Sequence, residues 1–167
     1  MAAPADLIRK IRAGVPGIAL RTTFIVGFPG ETEDEFSETI SLVAEVGYDD
    51  AFTFKYSPRD GTPATRMRGA VPNDVAGERL ERLIAAVRGG ARRRNVGLVG
   101  TAHEVLVEGK AKRGDLLQGR TRTNKVALFP GSDAWIGTYR SVRFTGTTGS
   151  TFTAWPLERA GELAVVG

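Results

Sequence analysis

Residues 22–36, TTFIVGFPGETEDEF, set an apolar run directly against a Gly-Phe-Pro-Gly loop, and an acidic segment follows. The continuous apolarity from Phe24 to Val26 predicts a strand that is buried on both faces, as parallel strands usually are. Thr32 and Glu35 have the spacing of a capping box, so a helix is expected to begin just after the loop and to end near Gly47. The stretch therefore predicts the strand, loop and helix that repeat in α/β folds.

The residues around this junction extend the α/β pattern to about residue 95. In residues 51–56, AFTFKY, aromatic and polar residues alternate, which predicts a strand whose aromatic face packs against helices while Lys55 points away from them. The pair Gly89-Gly90 is expected to weaken or break the helix that starts at Asn73. The expected elements are a helix at 4–13, a strand at 18–26, a helix from 33 to about 47, a strand at 51–56 and a helix from 73.

After residue 95 the pattern changes to short segments rich in Val, Thr and aromatic residues, separated by turns that contain glycine. Five strands are expected, which is enough for a small closed or nearly closed barrel. Trp135, Tyr139, Phe144 and Trp155 are expected mainly in its core, and the alternative is that they are platforms for base stacking. The sequence thus predicts an α/β domain over residues 1–94 and an all-β domain over residues 95–167. The expected strands are 102–108, 116–121, 125–129, 135–144 and 151–156.

The composition limits the chemistry that this chain can perform. It has 167 residues, of which 41% are hydrophobic and 25% charged. No apolar stretch approaches the roughly 20 residues that cross a bilayer, so we expect no membrane association and a cytoplasmic location. The chain has no cysteine, which excludes disulfides, thiolate zinc sites and iron-sulfur clusters held by its own thiolates. The single histidine, His103, is expected to be structural because no metal-binding side chains accompany it at ligand spacing.

Positive charge concentrates between residues 110 and 125, where a single acid, Asp115, accompanies six basic residues. In the segment GRTRTNK, residues 119–125, cationic side chains can neutralise phosphates while hydroxyl and amide groups bond phosphate or sugar oxygens. We interpret this segment as an RNA-binding site, and the alternative is that the charges only keep a loop soluble. The candidate contacts are Arg120, Arg122, Asn124 and Lys125, and the other basic residues are Lys110, Lys112 and Arg113.

The Gly-Phe-Pro-Gly loop is a second candidate site. Parallel α/β proteins bind ligands beyond the carboxyl ends of their strands, and Gly27 and Gly30 would let a flat ligand approach the backbone. The loop is not a phosphate-binding loop, because no Lys-Ser or Lys-Thr follows the second glycine. A tight turn before a capped helix is the alternative interpretation.

Three motifs, in this order, carry a resemblance to a known family: IVGFPGETEDEF at 25–36, AFTFKYSPRDGTPA at 51–64 and GRTRTNKVALFPG at 119–131. Together they resemble the C-terminal part of the radical SAM methylthiotransferases, most of all the MiaB-type tRNA enzymes. The resemblance implies the last strands of a partial (β/α) radical SAM barrel up to about residue 94. A small, OB-like TRAM β-barrel would then follow from about residue 96 to residue 157.

The resemblance also implies an activity and its cofactors. The family attaches a methylthio group to a modified adenosine beside the tRNA anticodon, using S-adenosylmethionine and two 4Fe-4S clusters. Cysteines in earlier segments of the family hold these clusters, and this chain has none. We therefore expect a fragment or truncated member that is inactive alone, with tRNA and the missing N-terminal portion as its partners.

Site residues carry over only where the motifs match. Ile25, Gly27 and Phe28 correspond to the wall against the adenine of S-adenosylmethionine, through packing and backbone contact. Arg59, in the YSPRDGTP loop, would border the substrate mouth and contact a phosphate or the cofactor, although a solvated loop arginine is an equal alternative.

Two other functions stay open. The chain could be a stand-alone TRAM-type RNA-binding module whose α/β half is a remnant. It could also come from a methylthiotransferase that acts on a ribosomal protein. Thr23 stands where tRNA-directed members often have Asp, and the sequence LRTTFIVGFPGE is closer to that of the ribosomal-protein modifiers. The motif GRTRTNK favours tRNA as the substrate instead.

Overall fold

The computed structural model describes residues 4–112 and 114–157, which divide into two compact units between Ala91 and Arg92. No helix in these residues is long and apolar enough to cross a membrane. The elements that begin in the first unit are α1 (Pro4–Gly14), β1 (Arg21–Val26), α2 (Glu33–Val46), β2 (Asp50–Lys55), a 3-10 turn (Pro63–Arg66) and α3 (Asn73–Val96). The elements of the second unit are β3 (Ala102–Lys110), β4 (Leu117–Thr121), β5 (Val126–Phe129), a 3-10 turn (Asp133–Trp135), β6 (Tyr139–Thr147) and β7 (Thr151–Pro156).

The strand, loop and helix predicted at residues 22–36 are confirmed. The Oγ1 atom of Thr32 accepts a hydrogen bond from the Glu35 amide at 3.2 Å, and the Thr32 amide donates to the Glu35 carboxylate at 2.8 Å. This capping box satisfies amides that the first turn of α2 leaves without partners. Gly47 ends the helix with φ 57°, a left-handed conformation that glycine adopts without strain.

Strands β1 and β2 pair in parallel, and α2 and α3 contribute to the core on one face of the sheet. The predicted burial of β1 on both faces is wrong, because Ile25 on the opposite face is exposed. The predicted packing of the β2 aromatic face against helices is also wrong, since Phe52 and Phe54 lie on that same exposed face. Ala51 packs toward the helices instead, and the Lys55 ammonium donates to the Asn73 side-chain oxygen. The core of this unit is Val26, Phe36, Val43, Leu83 and Val87.

Helix α3 continues through Gly89-Gly90 to Val96, so the expected interruption there does not occur. A glycine costs about 1 kcal/mol relative to alanine inside a helix. Leu83 and Val87 are buried before the pair. After the pair, the Asn95 side-chain amide donates to the Gly149 carbonyl at 2.7 Å. Because these contacts lie on both sides of the glycine pair, they offset the free-energy cost of the two glycines and the helix continues.

The five predicted strands of the second half are confirmed, and they close into a barrel in the order β3-β4-β5-β7-β6. All neighbours are antiparallel except β5 and β7, which are parallel. Trp135 lies in the turn before β6, not in the strand itself. The barrel interior is filled by Val105, Val107, Leu117, Ala127, Phe129, Val142, Phe144, Phe152 and Ala154.

The four aromatic residues assigned to this core divide into two groups. Phe144 is fully buried, and its ring stacks on that of Phe152 with centroids 4.0 Å apart. Trp135 is partly buried and packs against the core. For Tyr139 and Trp155 the core assignment is wrong, because 53% and 63% of these residues is exposed. Both occupy outward positions in strands whose alternate residues fill the barrel.

His103 has a packing role, as predicted. Its ring stacks on Phe144 at 4.4 Å, and its Nε2 atom is hydrogen-bonded to the Thr101 hydroxyl at 2.7 Å. Burial lowers the pKa of His103, so the ring is neutral at pH 7.

Candidate functional site

The loops after β1 and β2 meet at the carboxyl ends of these strands. The Tyr56 amide donates to the Val26 carbonyl at 2.8 Å, which continues the strand pairing to the start of the second loop. The Phe28 ring then lies edge-on to the Tyr56 ring, with centroids 5.1 Å apart. The structure thus brings Phe28 to the YSPRDGTP loop, beside a sheet face on which Ile25 is exposed.

A second contact joins the same two loops. The Gly30 amide donates to the Gly69 carbonyl at 2.7 Å, and a Cβ added at Gly69 would lie 3.3 Å from the Gly30 backbone. Gly69 also has φ 82°, which favours glycine. Arg59 lies between these anchors as an exposed residue, and its carbonyl accepts from the Thr62 hydroxyl at 2.8 Å. Its predicted contact with a phosphate or cofactor stays a prediction.

The packing of α3 accounts for the glycine at position 27. Its φ is 72°, and an added Cβ would lie 2.6 Å from the Ala76 Cβ. Its amide already donates to a Glu31 carboxylate oxygen at 2.7 Å. The close neighbour is therefore a helix of this chain, so the glycine does not by itself indicate a ligand.

Sequence reasoning missed the ion cluster that holds this loop. Arg79 on α3 is buried, and its Nη1 atom donates to the Glu31 carbonyl and to the Glu31 carboxylate, both at 2.9 Å. Its Nε atom donates to Glu33 at 3.2 Å. Arginine in a helix ordinarily indicates a solvated position, so no local signal in the sequence identifies this residue. The cluster fixes the first loop of the strand-end site to α3.

The second candidate site is the GRTRTNK segment, which covers the end of β4 and its connection to β5. Two backbone hydrogen bonds of 2.9 Å close it, from the Thr121 amide to the Lys125 carbonyl and from the Asn124 amide to the Thr121 carbonyl. Asn124 has φ 64°, and its side-chain oxygen accepts from Arg120 Nη1 at 3.0 Å. Asn124 therefore shapes the turn and also orients Arg120.

The three cations predicted in this segment are presented differently. Arg122 is the most exposed, with 86% of its side chain accessible to solvent and a Glu104 carboxylate oxygen 3.7 Å away. The Arg120 side chain is 36% exposed and pairs with Glu108 at 2.9 Å. Lys125 is only 8% exposed. Its role in RNA binding stays a prediction, and the surface that the segment presents is mainly that of the two arginines.

Two charged residues of β3, Glu108 and Lys110, also have ionic partners. Hydrogen bonds from Arg120 and Gln118 lower the pKa of the Glu108 carboxyl, so Glu108 is ionised at neutral pH and competes with any other anion for Arg120. Lys110 pairs with Asp133 at 2.8 Å. Arg113, which belongs to the predicted basic cluster, lies outside the described residues.

Substitutions at Asn124 should separate its two roles. We expect Asn124→Ala to lower the free energy of unfolding of the barrel by about 1 kcal/mol, because alanine is strained at positive φ. Asn124→Gly should be close to neutral, since glycine adopts this conformation freely. Urea unfolding followed by tryptophan fluorescence measures both, because Trp135 and Trp155 are in the barrel unit. Equal losses in the two variants would show that the lost amide contact matters and the backbone conformation does not.

Comparison with known proteins finds matches that cover both halves of the chain. A family model described as the TRAM domain matches residues 98–149, which contain β3 to β6. The tRNA-2-methylthio-N(6)-dimethylallyladenosine synthase of Moorella thermoacetica is 49% identical over 141 residues, which are 84% of this chain and 32% of that protein. The synthase of the same name from Geobacillus thermodenitrificans is 47% identical over 160 residues, 95% of this chain and 29% of its own length. The one from Carboxydothermus hydrogenoformans is 45% identical over 141 residues, 84% of this chain and 32% of its own length.

The chain thus spans about a third of the length of the curated relatives that it matches. The resemblance to the C-terminal part of the MiaB-type tRNA methylthiotransferases, which three sequence motifs predict, is confirmed. The TRAM domain in the second half is confirmed as well.

Proposed function

We infer that this chain, being similar over most of its length to the C-terminal part of tRNA methylthiotransferases, contributes the tRNA-binding part of such an enzyme. The observation that carries the inference is the closed barrel that matches the TRAM domain and presents Arg122 and Arg120 on its surface. The reaction of the whole protein would be methylthiolation of a modified adenosine in tRNA, in the cytoplasm where tRNA is used. The names of the relatives support tRNA as the substrate over a ribosomal protein.

The role proposed for the barrel follows from charge. Guanidinium groups displace counterions from RNA phosphates, and this release makes binding favourable and sensitive to salt. Arg122 projects into solvent, while Arg120 is held between Glu108 and Asn124 at a fixed place beside it. Such contacts position an RNA backbone but read little sequence, so the choice of nucleoside would be made elsewhere in the enzyme.

For the α/β unit we propose the last part of a partial radical SAM barrel, over residues 1–94, with the OB-like TRAM barrel over residues 95–167. Two parallel strands with helices packed on one face support this role. The exposed opposite face, with Ile25, Phe52 and Phe54, is what a barrel interior would look like if further strands continued the sheet.

The implied cofactors fit this chain to different degrees. Ile25 and Phe28 offer exposed apolar surface at the strand ends, which suits contact with the adenine of S-adenosylmethionine. Gly27 precedes Phe28 in the same loop, and Arg59 is exposed in the loop after β2. When bound, S-adenosylmethionine supplies the radical that the reaction needs. The 4Fe-4S clusters do not fit this chain, because it has no cysteine and its described residues hold no group of three or more metal-binding side chains. Cluster ligands would have to come from residues outside this sequence.

Binding of the purified chain to tRNA at several salt concentrations tests the proposal. We expect salt-sensitive binding, and we expect Arg120→Gln with Arg122→Gln to weaken it roughly tenfold and to reduce the salt slope by about 1 for each arginine. Glu108→Gln should act in the opposite direction, because it releases Arg120 from its intramolecular partner.

The matched control removes the same charge from α3 by Arg88→Gln with Arg93→Gln, both of which are exposed. That control should bind tRNA nearly as well as the unchanged chain. If both double variants weaken binding equally, only net charge matters and the site assignment is wrong. If the unchanged chain binds no tRNA, the proposed function fails altogether.

A further inference from the structure

The outer wall of the barrel carries two exposed aromatic rings, and among the residues that the structure describes neither ring belongs to the core. Trp155 on β7 is 63% exposed and Tyr139 on β6 is 53% exposed. Both side chains alternate with residues that fill the interior, so their outward direction is set by the strand period. Tyr and Trp are enriched at binding interfaces, where an apolar ring carries a polar group.

The pairing of strands connects these rings to the cations of the proposed tRNA site. Tyr139 is opposite Leu106 in the pairing of β6 with β3, and Leu106 is opposite Arg120 in the pairing of β3 with β4. Residues opposite each other in a sheet share a face and lie about 5 Å apart. Tyr139 and Arg120 therefore belong to one continuous outward surface.

Trp155 lies on the same wall, one strand further on. It is directly opposite Arg143 in the pairing of β7 with β6, and Arg143 is on the same face of β6 as Tyr139. The exposed Arg143 side chain is held by a hydrogen bond of 2.8 Å from its Nη1 atom to the Gly100 carbonyl. Trp155 thus has a basic residue opposite it on the neighbouring strand.

The polar residues of this wall suit a nucleic acid. Its two acids, Glu104 and Glu108, lie close to Arg122 and Arg120 respectively. Ser141 lies between Tyr139 and Arg143, and the Thr145 and Thr153 hydroxyls are bonded to each other at 3.2 Å near Trp155. Cations, hydroxyls and flat apolar rings are the groups that contact the phosphates, sugars and bases of single-stranded RNA.

We propose that Trp155, with Arg143 beside it, is a stacking site for an unpaired base of the bound tRNA, and that Tyr139 takes a second base nearer to the Arg120 cluster. The inference rests on the proposed function of the barrel. It adds that the barrel recognises unpaired nucleotides, because the faces of bases inside an RNA duplex are covered by their neighbours and cannot stack on a side chain. Arg143, which is opposite Trp155, is four positions after Tyr139, a distance of about 13 Å along the strand, so the two rings would hold separate bases.

Fluorescence of Trp155 is the direct test. The full chain with Trp135→Phe has Trp155 as its single tryptophan. One probe is a stem-loop RNA with an unpaired loop, and the other is a blunt-ended RNA duplex of two complementary strands with the same total number of nucleotides. We expect the unpaired loop to quench Trp155 on binding and the paired probe to leave it nearly unchanged. Equal quenching by both probes would overturn the assignment to unpaired bases.

Substitutions then separate stacking from charge. Trp155→Leu should weaken binding of the stem-loop roughly tenfold with an unchanged salt slope, because no charge is removed, while Trp155→Phe should retain most of the affinity. Arg120→Gln with Arg122→Gln should lower the slope and still show quenching of Trp155 at saturating RNA. The emission of Trp135 in Trp155→Leu reports that the barrel is folded.

The outcomes distinguish this inference from the proposed function. If the unchanged chain binds RNA and the arginine variant weakens it, but Trp155→Leu binds equally well, the stacking site is wrong and the tRNA-binding function stands. Quenching of Trp155 that depends on protein concentration without RNA would assign this wall to contact between copies of the chain, which also overturns the stacking site. Absence of any RNA binding overturns both.

Discussion

Arg79→Met is expected to lower the free energy of unfolding of the α/β unit by about 3–5 kcal/mol. The Arg79 side chain is 6% exposed and that of its partner Glu31 is 13% exposed, with their charged atoms 2.9 Å apart. Removing the guanidinium would leave the Glu31 carboxylate in a largely dry environment without its cation, which is the costly way to break a buried pair. The same change also removes the contact from Arg79 to the Glu31 carbonyl, so the loop after β1 should loosen.

Arg82→Met is the matched control for this prediction. Arg82 is on the same helix, also pairs with Glu33 and also lies over the Phe36 ring, but both members of its ion pair are substantially exposed. Exposed ion pairs contribute about 0–1 kcal/mol, so its loss should be small. Similar losses in the two variants would contradict the argument from burial. Glu31→Gln in the Arg79→Met background should restore part of the stability, since it removes the unpaired charge.

Two spectroscopic signals make the measurement specific to each unit. Both tryptophans of the chain, Trp135 and Trp155, are in the barrel unit, whereas α1 and α2 are in the other unit together with most of α3. Urea unfolding followed by helical circular dichroism therefore reports the α/β unit, and tryptophan fluorescence reports the barrel. Arg79→Met should lower the urea midpoint of the circular-dichroism transition and leave the midpoint of the fluorescence transition unchanged.

Phe144→Ala should have a similarly large effect in the other unit, with a loss of about 3–5 kcal/mol. Phe144 is fully buried, and its ring stacks on Phe152 and on His103. Truncation would leave a cavity among rings that come from neighbouring strands and cannot easily collapse into it. The fluorescence transition should move to lower urea, and binding of tRNA should be lost under conditions in which the barrel is unfolded.

Tyr139→Ala is the control on the same strand. Its ring points outward and is half-exposed, so its removal should change the free energy of unfolding by less than about 1 kcal/mol. A loss as large as that of Phe144→Ala would mean that the outer wall is packed against something, and the distinction between the inner and outer faces of β6 would be wrong.

Features set by residues close together in the chain could be predicted from the sequence. The capping box joins Thr32 to Glu35, and Gly47 ends α2 by its own backbone conformation. The five barrel strands follow from alternation and from glycine-containing turns, which are equally local. Such signals require no knowledge of what packs against the element.

Features set by distant residues could not be predicted in this way. Arg79 bonds with residues 46 and 48 positions away, and no pattern around it differs from that of a solvated arginine. The exposure of Ile25 and Phe54 depends on which face of β1 and β2 the helices cover, and an apolar run of three residues does not specify a face. The continuation of α3 beyond Gly89-Gly90 likewise depends on contacts made on both sides of the pair.

The candidate RNA site shows the same division. Composition identifies the GRTRTNK segment, but the sequence does not distinguish the exposed Arg122 from the mostly buried Lys125. The outward direction of Trp155 was available from its alternation with Phe152 and Ala154, a signal that the general preference of tryptophan for cores concealed. The roles of these residues in binding stay predictions for the experiments above.

The order of strands in the barrel has a consequence for synthesis of the chain. β7 lies between β5 and β6, although it is the last of these five strands in chain order. Until Thr151–Pro156 leaves the ribosome, β5 and β6 each keep an open edge, and Arg143 has no Trp155 beside it. The barrel therefore closes only when translation has passed its last strand, so that a chain interrupted earlier would not present the complete wall to RNA.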